Sequence, residues 1–539
     1  MPFLNKKEND LKLSYYILLS GFLLSCLLVW GYSQIKSNVL LITYGDSWIY
    51  TDLAKRIAYT FSLHMDQVFD LIYPPLYSLI LSIAYISKNH SLVFKIIKSL
   101  NIILFSTSFI PYFLLLKNYS KIPIKHAFIG ALFLVMAPWA ITYSSALTSE
   151  AIYFPLVAWL CWFLASDFYF KNKTSLFIFS LSLVSLPLTK VLGLVFIASF
   201  ACTVFFVFLL NYKEKKLYFL KSCSALSISI AILILYKIYL TLVIPTGSTD
   251  ATGGYLVALS NPLIFKISYW YDRFRFNYFW TITRSGTLAV LMVGIIFINN
   301  FKKLIKDPVV LFTFFLSMFT LLIVTIFMST EPLGIPHPRY FVPLIFLFII
   351  ILFKYFHLYS FKDFMFCSSI MILNKFFGMS PFPDWLKNKV SIQSFSIIEC
   401  IFIFIVSAAL FLLFHFKNKF INLFLILMLV STPLAFLRNK DSTIFNNFSD
   451  PFESIANLTY QNIFIDNSWR NTNFETWSTY ESIMMNTLSI PIFKNISEAR
   501  SFANKDNSDV FFLSHNVIGN AQKIKSWDNL SLYKLNKKN

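Results

Sequence analysis

Apolar stretches separated by short polar connections occupy most of the chain. An α-helix rises about 1.5 Å per residue, so about 20 apolar residues cross the roughly 30 Å hydrocarbon core of a bilayer. A backbone inside lipid must satisfy its own hydrogen bonds, so these stretches predict membrane helices. The longer stretches are residues 14–33, 97–116, 127–143, 191–210, 223–244, 309–328, 396–415 and 419–437, and the shorter ones are residues 151–166, 176–189, 286–299, 341–355 and 363–378.

Composition places the chain among integral membrane proteins. Hydrophobic residues make up 57% of it, charged residues only 13%, and the mean hydropathy is +0.64. So few charged residues cannot cover the core of a soluble protein of this length. The net charge of +20 is concentrated in short connections, which is typical of cytoplasmic loops and argues against a nucleic-acid partner. These connections contain Lys6, Lys7, Lys12, Lys117, Lys121, Lys125, Lys171, Lys173, Lys213, Lys215, Lys216, Lys302, Lys303, Lys306, Lys417 and Lys419.

The basic connections also predict a topology. If they are cytoplasmic, the N-terminus lies inside, and the outer segments are residues 34–73, 144–150, 245–285, 330–340 and 438–539. Residues 74–86 are then a short helix at the outer interface and residues 97–116 one crossing, giving an α-helical polytopic protein of about 13 transmembrane helices. The alternative is two crossings in this region, which turns Lys117–Lys125 and the later basic loops outward.

The composition changes near residue 438. Residues 438–539 contain eleven Lys and Arg against ten Asp and Glu, so the basic excess belongs to the membrane domain, residues 1–437. Strands that alternate with helices predict a small soluble α/β domain on the outer face, with the role of a lid or a docking module. The predicted strands are Asn462–Asp466 and Asp509–His515, and the predicted helices are Glu475–Thr487 and Ser497–Lys505.

The first predicted outer loop, residues 34–73, is acidic and aromatic. Asp46 precedes Ile49, Leu53 and Ile57, which recur every four positions and predict an amphipathic helix along the membrane surface. At the start of a helix, Asp46 fits an N-cap. On the outer aqueous side, its carboxylate also fits a general base that takes a proton from an acceptor hydroxyl. The two roles are compatible.

Two cations are predicted near the outer surface. Lys190 lies between two apolar segments, and a lysine at the bilayer centre costs about 2.5–3.5 kcal/mol, so it either reaches the interface or binds an anion. Arg339 opens a span, where it either anchors the helix or presents its planar guanidinium to a phosphate. Together the two cations suit the phosphate of a lipid leaving group.

Other polar residues on the predicted outer side are candidates to line a substrate cavity. Glu150 begins an apolar run, where an acid is also favoured by the helix dipole alone. The prolines that follow Tyr73 suit the first turn of a helix. The candidate cavity residues are Tyr73, Glu150, His337 and Tyr340.

The order of these features along the chain, and the side of the membrane predicted for each, resemble the pattern of the glycosyltransferase C superfamily. The shared features are a cytoplasmic N-terminus with one span, an outer loop with an early Asp, a Pro-Pro-Leu-Tyr helix start, a Ser-Glu helix start, a Leu-Thr-Lys segment and a late Arg-Tyr before a span. They cover residues 14 to about 355. The patterns are most similar to those of lipid A aminoarabinose transferases and protein O-mannosyltransferases.

This resemblance implies a glycosyltransferase of the bacterial cytoplasmic (inner) membrane. It would move a sugar, with inversion, from a polyprenyl-phosphate-linked donor to a lipid, glycan or protein acceptor at the outer face. Asp46 matches the general base of the family, and Lys190 and Arg339 fall where contacts to the carrier phosphate are expected. Two residues depart from the family pattern: Ser47 follows the early Asp where the family often has Glu, and Tyr73 stands where the aminoarabinose transferases carry a lysine. The aminoarabinose substrate is therefore not assigned to this chain.

No cofactor is assigned from the sequence. His64, His337, Asp66 and Asp70 are possible metal ligands by residue type, but they show no metal-binding spacing, and lone histidines near interfaces are more often structural. The sequence therefore leaves open whether the protein binds a divalent metal, and it assigns no ligands to one.

Two other classes of membrane protein fit parts of the pattern. A transporter or flippase of lipid-linked sugars also has many spans, but such proteins often contain an internal repeat, and residues 286–437 do not repeat the first-half pattern. A polysaccharide polymerase or ligase usually concentrates basic residues in late outer loops, whereas here an acid dominates the first loop.

Overall fold

The structure is a computed structural model that describes most of the first 355 residues and part of the C-terminal region. The described residues are 2–35, 46–61, 74–87, 90–145, 147–210, 216–243, 287–327, 341–355, 358, 362–363, 463–465, 510–514, 521–527 and 530–535.

Helices make up nearly all of the described residues from Pro2 to Tyr355. The α-helices are α1 (Pro2–Ile35), α2 (Asp46–Thr60), α3 (Leu76–Leu81), α4 (His90–Ser106), α5 (Phe109–Leu114), α6 (Ile124–Met136), α7 (Pro138–Ser145), α8 (Glu150–Ala165), α9 (Lys173–Thr189), α10 (Leu194–Leu210), α11 (Lys216–Val243), α12 (Thr287–Asn299), α13 (Phe301–Leu304), α14 (Pro308–Phe327) and α15 (Val342–Tyr355). Short 3₁₀ segments cover Ser82–Ile86, Phe168–Phe170 and Val191–Gly193, and a π-helical turn covers Leu115–Tyr119.

The chain is a helical membrane protein. Within the described residues, four helical segments are long and apolar enough to cross a membrane, namely Tyr15–Ser33, Lys95–Tyr119, Val191–Leu210 and Leu217–Tyr239. The segment Lys95–Tyr119 contains the predicted crossing at residues 97–116. By contrast, Leu76–Ile86 is a short apolar helix. At about 1.5 Å per residue it reaches roughly 16 Å, about half the hydrocarbon thickness, and its place at the outer interface stays a prediction.

One expected span is broken. The apolar run 127–143 was predicted as a single helix, but α6 ends at Met136 and α7 begins at Pro138. Ala137 between them has an extended ψ of 130°. A residue that precedes proline is pushed out of the helical region by contact with the proline ring, which explains the break. The predicted spans 396–415 and 419–437, and most of 363–378, lie outside the described residues.

The chain divides into two compact units. The first consists of residues 1–29, 104–142 and 152–436, and the second of residues 30–103, 143–151 and 437–539. The second unit therefore contains α2, α3, most of α4 and the turn before α8.

Aromatic rings fill the interior of the first unit. The rings of Tyr112 and Phe346 have centroids 4.7 Å apart, and Phe154 lies 6.1 Å from Phe346 and 6.5 Å from Phe105. Lipid tails are as apolar as these side chains, so association of membrane helices depends on close packing and polar contacts more than on the hydrophobic effect.

A charged cluster around Asp307 joins three helical segments of the first unit. The Oδ2 atom of Asp307 accepts hydrogen bonds from Tyr119 Oη at 2.8 Å, Lys354 Nζ at 2.6 Å and Tyr355 Oη at 2.5 Å. Its Oδ1 atom accepts from the backbone N–H of Val309 at 2.9 Å, which caps the start of α14. Lys354 Nζ also lies 3.6 Å from the centre of the Tyr119 ring, a cation–π contact.

The described C-terminal strands form a four-stranded sheet in the order β1-β2-β4-β3. The strands are β1 (Ile463–Ile465), β2 (Val510–Ser514), β3 (Ala521–Trp527) and β4 (Leu530–Leu535). β1 and β2 pair in parallel, and they coincide with the two predicted strands. The hairpin of β3 and β4 is antiparallel and was not predicted. The two predicted helices of this region lie outside the described residues.

Candidate active site

The helix that begins at Asp46 has one buried face. Tyr50, Leu53, Ala54 and Ile57 are all buried, and they recur at the spacing of one helical face. This face packs against α3 and the 3₁₀ segment that follows it. The predicted amphipathic helix is therefore confirmed, but at least part of its apolar face is covered by protein.

A turn of buried polar residues precedes α8. Thr148, Ser149 and Glu150 are each only 1% exposed, and Glu150 is the first residue of α8. An acid in the first turn is favoured by the helix dipole. A dipole contact is also available to an exposed acid, so it does not by itself explain the burial of a carboxylate, which is costly.

Two tyrosines connect these elements in the second unit. Tyr50 of α2 donates its hydroxyl hydrogen bond to Ser149 Oγ at 3.2 Å. Tyr77 of α3 donates to Asn101 Oδ1 of α4 at 2.9 Å. The two tyrosine rings meet edge to face, with centroids 5.1 Å apart. Each buried hydrogen bond contributes about 0.5–1.5 kcal/mol, and an edge-to-face ring pair contributes a similar amount.

We call this set the Tyr50–Tyr77 cluster, made of Tyr50, Tyr77, Asn101, Ser149 and Glu150. It brings together three of the motifs on which the family resemblance rests: the helix with the early Asp, the Pro-Pro-Leu-Tyr start and the Ser-Glu start. The cluster lies entirely within the second unit.

The Tyr77 hydroxyl is a permanent hydrogen-bond donor. Burial raises the pKa of Tyr77 well above its ordinary value, and the nearby negative charge of Glu150 raises it further. Tyr77 therefore stays protonated at any physiological pH and keeps its hydrogen bond to Asn101.

Lys190 lies at a sharp turn between α9 and α10. Its backbone N–H bonds to the carbonyl of Leu186, its own carbonyl accepts from the N–H of Gly193 at 2.7 Å, and its backbone is extended. The half-buried side chain places Nζ 6.0 Å from the ring centre of Tyr153. Lys190 is therefore at the end of a helix, whereas a lysine inside one long apolar helix would face the full cost of the bilayer centre.

The turn at Lys190 depends on Gly193. A Cβ atom at that position would lie 2.2 Å from the carbonyl carbon of Leu186 and 2.3 Å from the nitrogen of Pro187. Both neighbours are backbone atoms of α9, so they cannot move aside as a side chain would. Glycine thus allows the chain to fold back against the last turn of α9.

Of the remaining predicted site residues, only Asp46 lies among the described residues, and only its backbone is described. The backbone of Asp46 begins α2, as predicted, but its side chain lies outside what the structure describes. Tyr73, His337, Arg339 and Tyr340 also lie outside the described residues, as does His64. Among the described residues, no three His, Cys, Asp or Glu side chains come together as a metal site.

Four members of the Tyr50–Tyr77 cluster, Tyr50, Tyr77, Asn101 and Ser149, were not predicted as site residues. Asn101 gave a usable signal, because it is an uncharged polar residue within the apolar stretch 97–116 and is fully buried. Polar residues inside membrane helices mark hydrogen bonds between helices or functional sites. Tyr50 gave no such signal, since an aromatic on the apolar face of a helix is ordinary.

Solved structures share this fold. ArnT from Cupriavidus metallidurans bound to undecaprenyl phosphate superimposes with a TM-score of 0.51 and 12% identity, over 95% of this chain and 97% of that chain. The apo form of the same enzyme gives a TM-score of 0.52 at 12% identity, over 97% and 98% of the two chains. No family model matches the sequence, and no curated protein matches it either.

The chain therefore has the fold of ArnT, a member of the glycosyltransferase C superfamily, and the resemblance found in the sequence is confirmed at the level of fold. ArnT, whose solved structure contains undecaprenyl phosphate, is the lipid A aminoarabinose transferase. At 12% identity, the similarity extends to architecture and not to substrate.

Proposed function

We propose that this protein is an inverting membrane glycosyltransferase. It transfers a sugar from a polyprenyl-phosphate carrier to a lipid, glycan or protein acceptor at the outer face of the cytoplasmic membrane. The main support is the fold it shares with ArnT over nearly the whole length of both chains. The joining of three family motifs in one buried cluster is a second, independent support.

The proposed chemistry assigns the base to the first outer loop. Asp46 takes the proton of an acceptor hydroxyl as its oxygen attacks the anomeric carbon of the donor. The new bond joins that oxygen to the anomeric carbon, and the bond from the anomeric carbon to the phosphate oxygen breaks with its electron pair leaving on the phosphate. Attack opposite to the leaving group inverts the anomeric centre. Phosphate is a good leaving group, so no strong acid is needed.

Lys190 and Arg339 are proposed to bind the carrier phosphate and stabilise the charge that develops on it. The placement of Lys190 at a helix end supports this role, because an ammonium there can reach the headgroup level where a carrier phosphate lies. Tyr73, Glu150, His337 and Tyr340 are proposed to line the substrate cavity. No step of this scheme requires a metal.

The proposed topology has a cytoplasmic N-terminus, about thirteen spans and residues 438–539 as a soluble α/β domain outside. The described residues of three segments predicted to lie outside, namely 34–73, 144–150 and 438–539, fall within the same compact unit, which supports their common side. The parallel pairing of β1 with β2 supports an α/β arrangement, because parallel strands require a crossover connection.

The decisive assay uses purified protein in lipid nanodiscs with a panel of labelled polyprenyl-phosphate sugars and inner-membrane acceptors. The wild type should consume one donor and transfer its label. Asp46→Asn should lower turnover by at least a hundredfold, whereas Asp52→Asn on the same helix should stay near wild type. Normal turnover in Asp46→Asn would remove Asp46 from the mechanism. A folded wild type that consumes no donor would overturn the proposal and favour a transporter of lipid-linked sugars.

Lys190 is tested separately by donor binding. Lys190→Met should weaken binding of undecaprenyl phosphate by roughly 10- to 100-fold, because a charge-assisted hydrogen bond contributes about 1.5–3 kcal/mol. Lys173→Met, at the exposed opposite end of α9, is the matched control and should bind as the wild type does. Equal affinities for the two variants would exclude Lys190 from the phosphate site.

A further inference from the structure

The contact of Tyr50 with Ser149 connects two chain segments that both carry acids. Tyr50 stands four residues after Asp46, so the two residues occupy neighbouring positions along one face of α2. Ser149 directly precedes Glu150. The hydrogen bond at 3.2 Å therefore joins the first turns of α2 to the buried turn that carries Glu150.

Tyr50 is held from a second direction. Its ring meets the edge of Tyr77, and Tyr77 is anchored by its hydroxyl to Asn101, which lies in the long apolar segment Lys95–Tyr119. Tyr50 is 2% exposed, and both Tyr77 and Asn101 are fully buried. A side chain packed on a ring and bonded at its tip has little freedom, so it transmits its position to the backbone of α2.

Packing alone does not require the hydroxyl of Tyr50. Phenylalanine would fill the same space, keep the ring contact with Tyr77 and avoid burying a polar group. The hydroxyl instead adds a directional bond to Ser149, which selects one rotation of α2 relative to the turn before α8.

We propose that Tyr50 and Ser149 are positioning residues for the transfer reaction. Their hydrogen bond sets the position of the first turn of α2, which includes Asp46, relative to Glu150. This inference rests on the proposed function, because it assumes that Asp46 acts as the base. A base displaced by even about 1 Å loses much of its rate advantage while substrate binding is little affected.

The test is a mutant cycle on transfer kinetics in nanodiscs. Tyr50→Phe and Ser149→Ala should each lower kcat about tenfold with KM within about twofold of the wild type, and the double variant should be no slower than either single variant. Ser149→Thr, which keeps a hydroxyl, should restore most of the rate. Tyr59→Phe, on the exposed face of α2, and Ser99→Ala, exposed on α4, are the matched controls and should behave as the wild type.

The outcomes separate the two proposals. An active wild type with an equally active Tyr50→Phe variant overturns the positioning role and leaves the proposed function intact. Multiplicative effects of the two substitutions, or a loss of rate explained by a lower melting temperature, would also overturn it, because a structural role alone then suffices. A folded wild type without any transfer overturns both proposals.

Discussion

Removal of the Asp307 carboxylate should destabilise the first compact unit without touching the proposed site. In Asp307→Ala, three donors on Oδ2 and the backbone N–H of Val309 on Oδ1 lose their acceptor. The donors on Oδ2 are Tyr119, Lys354 and Tyr355.

The expected magnitude follows from the burial of the ion pair. Breaking a buried pair by removing one partner costs about 3–5 kcal/mol, because the other charge is left uncompensated. The side chains of Asp307 and Lys354 are 8% and 27% exposed, so the lysine can recover part of its solvation. We therefore expect a loss of about 3 kcal/mol in the free energy of unfolding, which corresponds to a drop of roughly 3 °C in Tm for a chain of 539 residues.

The assay is thermal unfolding followed by tryptophan fluorescence in one fixed detergent. Asp363→Ala is the matched control, because Asp363 accepts from Asn299 in an exposed contact, and its loss should shift Tm by less than about 1 °C. The double variant Asp307→Ala with Lys354→Met removes both charges and should regain at least half of the lost stability.

If Asp307→Ala has the same Tm as the control variant Asp363→Ala, the cluster does not stabilise the fold. Fully additive losses in the double variant would show that no ion pair energy exists between the two side chains. Either result would refute the assignment of this cluster as the link between the three helical segments.

Four glycine-to-alanine substitutions should differ in severity, because the atoms that surround the new Cβ differ from one position to the next. Gly193→Ala should abolish folding, measured as monodisperse yield in size-exclusion chromatography, since the Cβ meets the backbone of Leu186 at 2.2 Å. Gly21→Ala should be milder, with a loss of about 1–3 kcal/mol in thermal unfolding, because the Cβ meets a phenylalanine ring at 2.1 Å, which can partly move. Gly294→Ala, like Gly31→Ala, meets nothing within 4 Å and should keep or raise the melting temperature through its better helix propensity. Equal behaviour of Gly193→Ala and Gly294→Ala would contradict the close turn.

Local pattern predicted much of the helical framework. The stretch 191–210 appears with its predicted bounds, and a helix begins at Asp46 as predicted, because helix formation in lipid depends on apolar length and on spacing along one face. The stretch 127–143 was predicted wrongly, although Pro138 was visible in the sequence. The prediction of one continuous helix relied on the length of the apolar stretch. In the structure, the residue before Pro138 leaves the helical conformation and the helix breaks there.

The candidate site was predictable only as separate motifs. Glu150 and the Pro-Pro-Leu-Tyr start were recognised, but Tyr50 looked like an ordinary core residue of an amphipathic helix. A tyrosine on an apolar face buries equally well with or without a hydroxyl partner, so the sequence does not indicate which tyrosine is bonded. Asp307 was not predicted as a structural residue either, because nothing near it in the sequence indicates that Tyr119, 188 residues away, is its partner.

By itself, the sequence determined that this is a helical membrane protein, where its apolar segments lie and which superfamily its ordered motifs resemble. Those properties depend on composition, periodicity and residue order, which are local or summed along the chain. Only the tertiary structure decided that Tyr77 meets Asn101, 24 residues away, that Tyr50 meets Ser149, 99 residues away, and that Tyr119 meets Asp307, 188 residues away. Such contacts arise from the packing of whole helices, and many pairings would satisfy the same local pattern equally well.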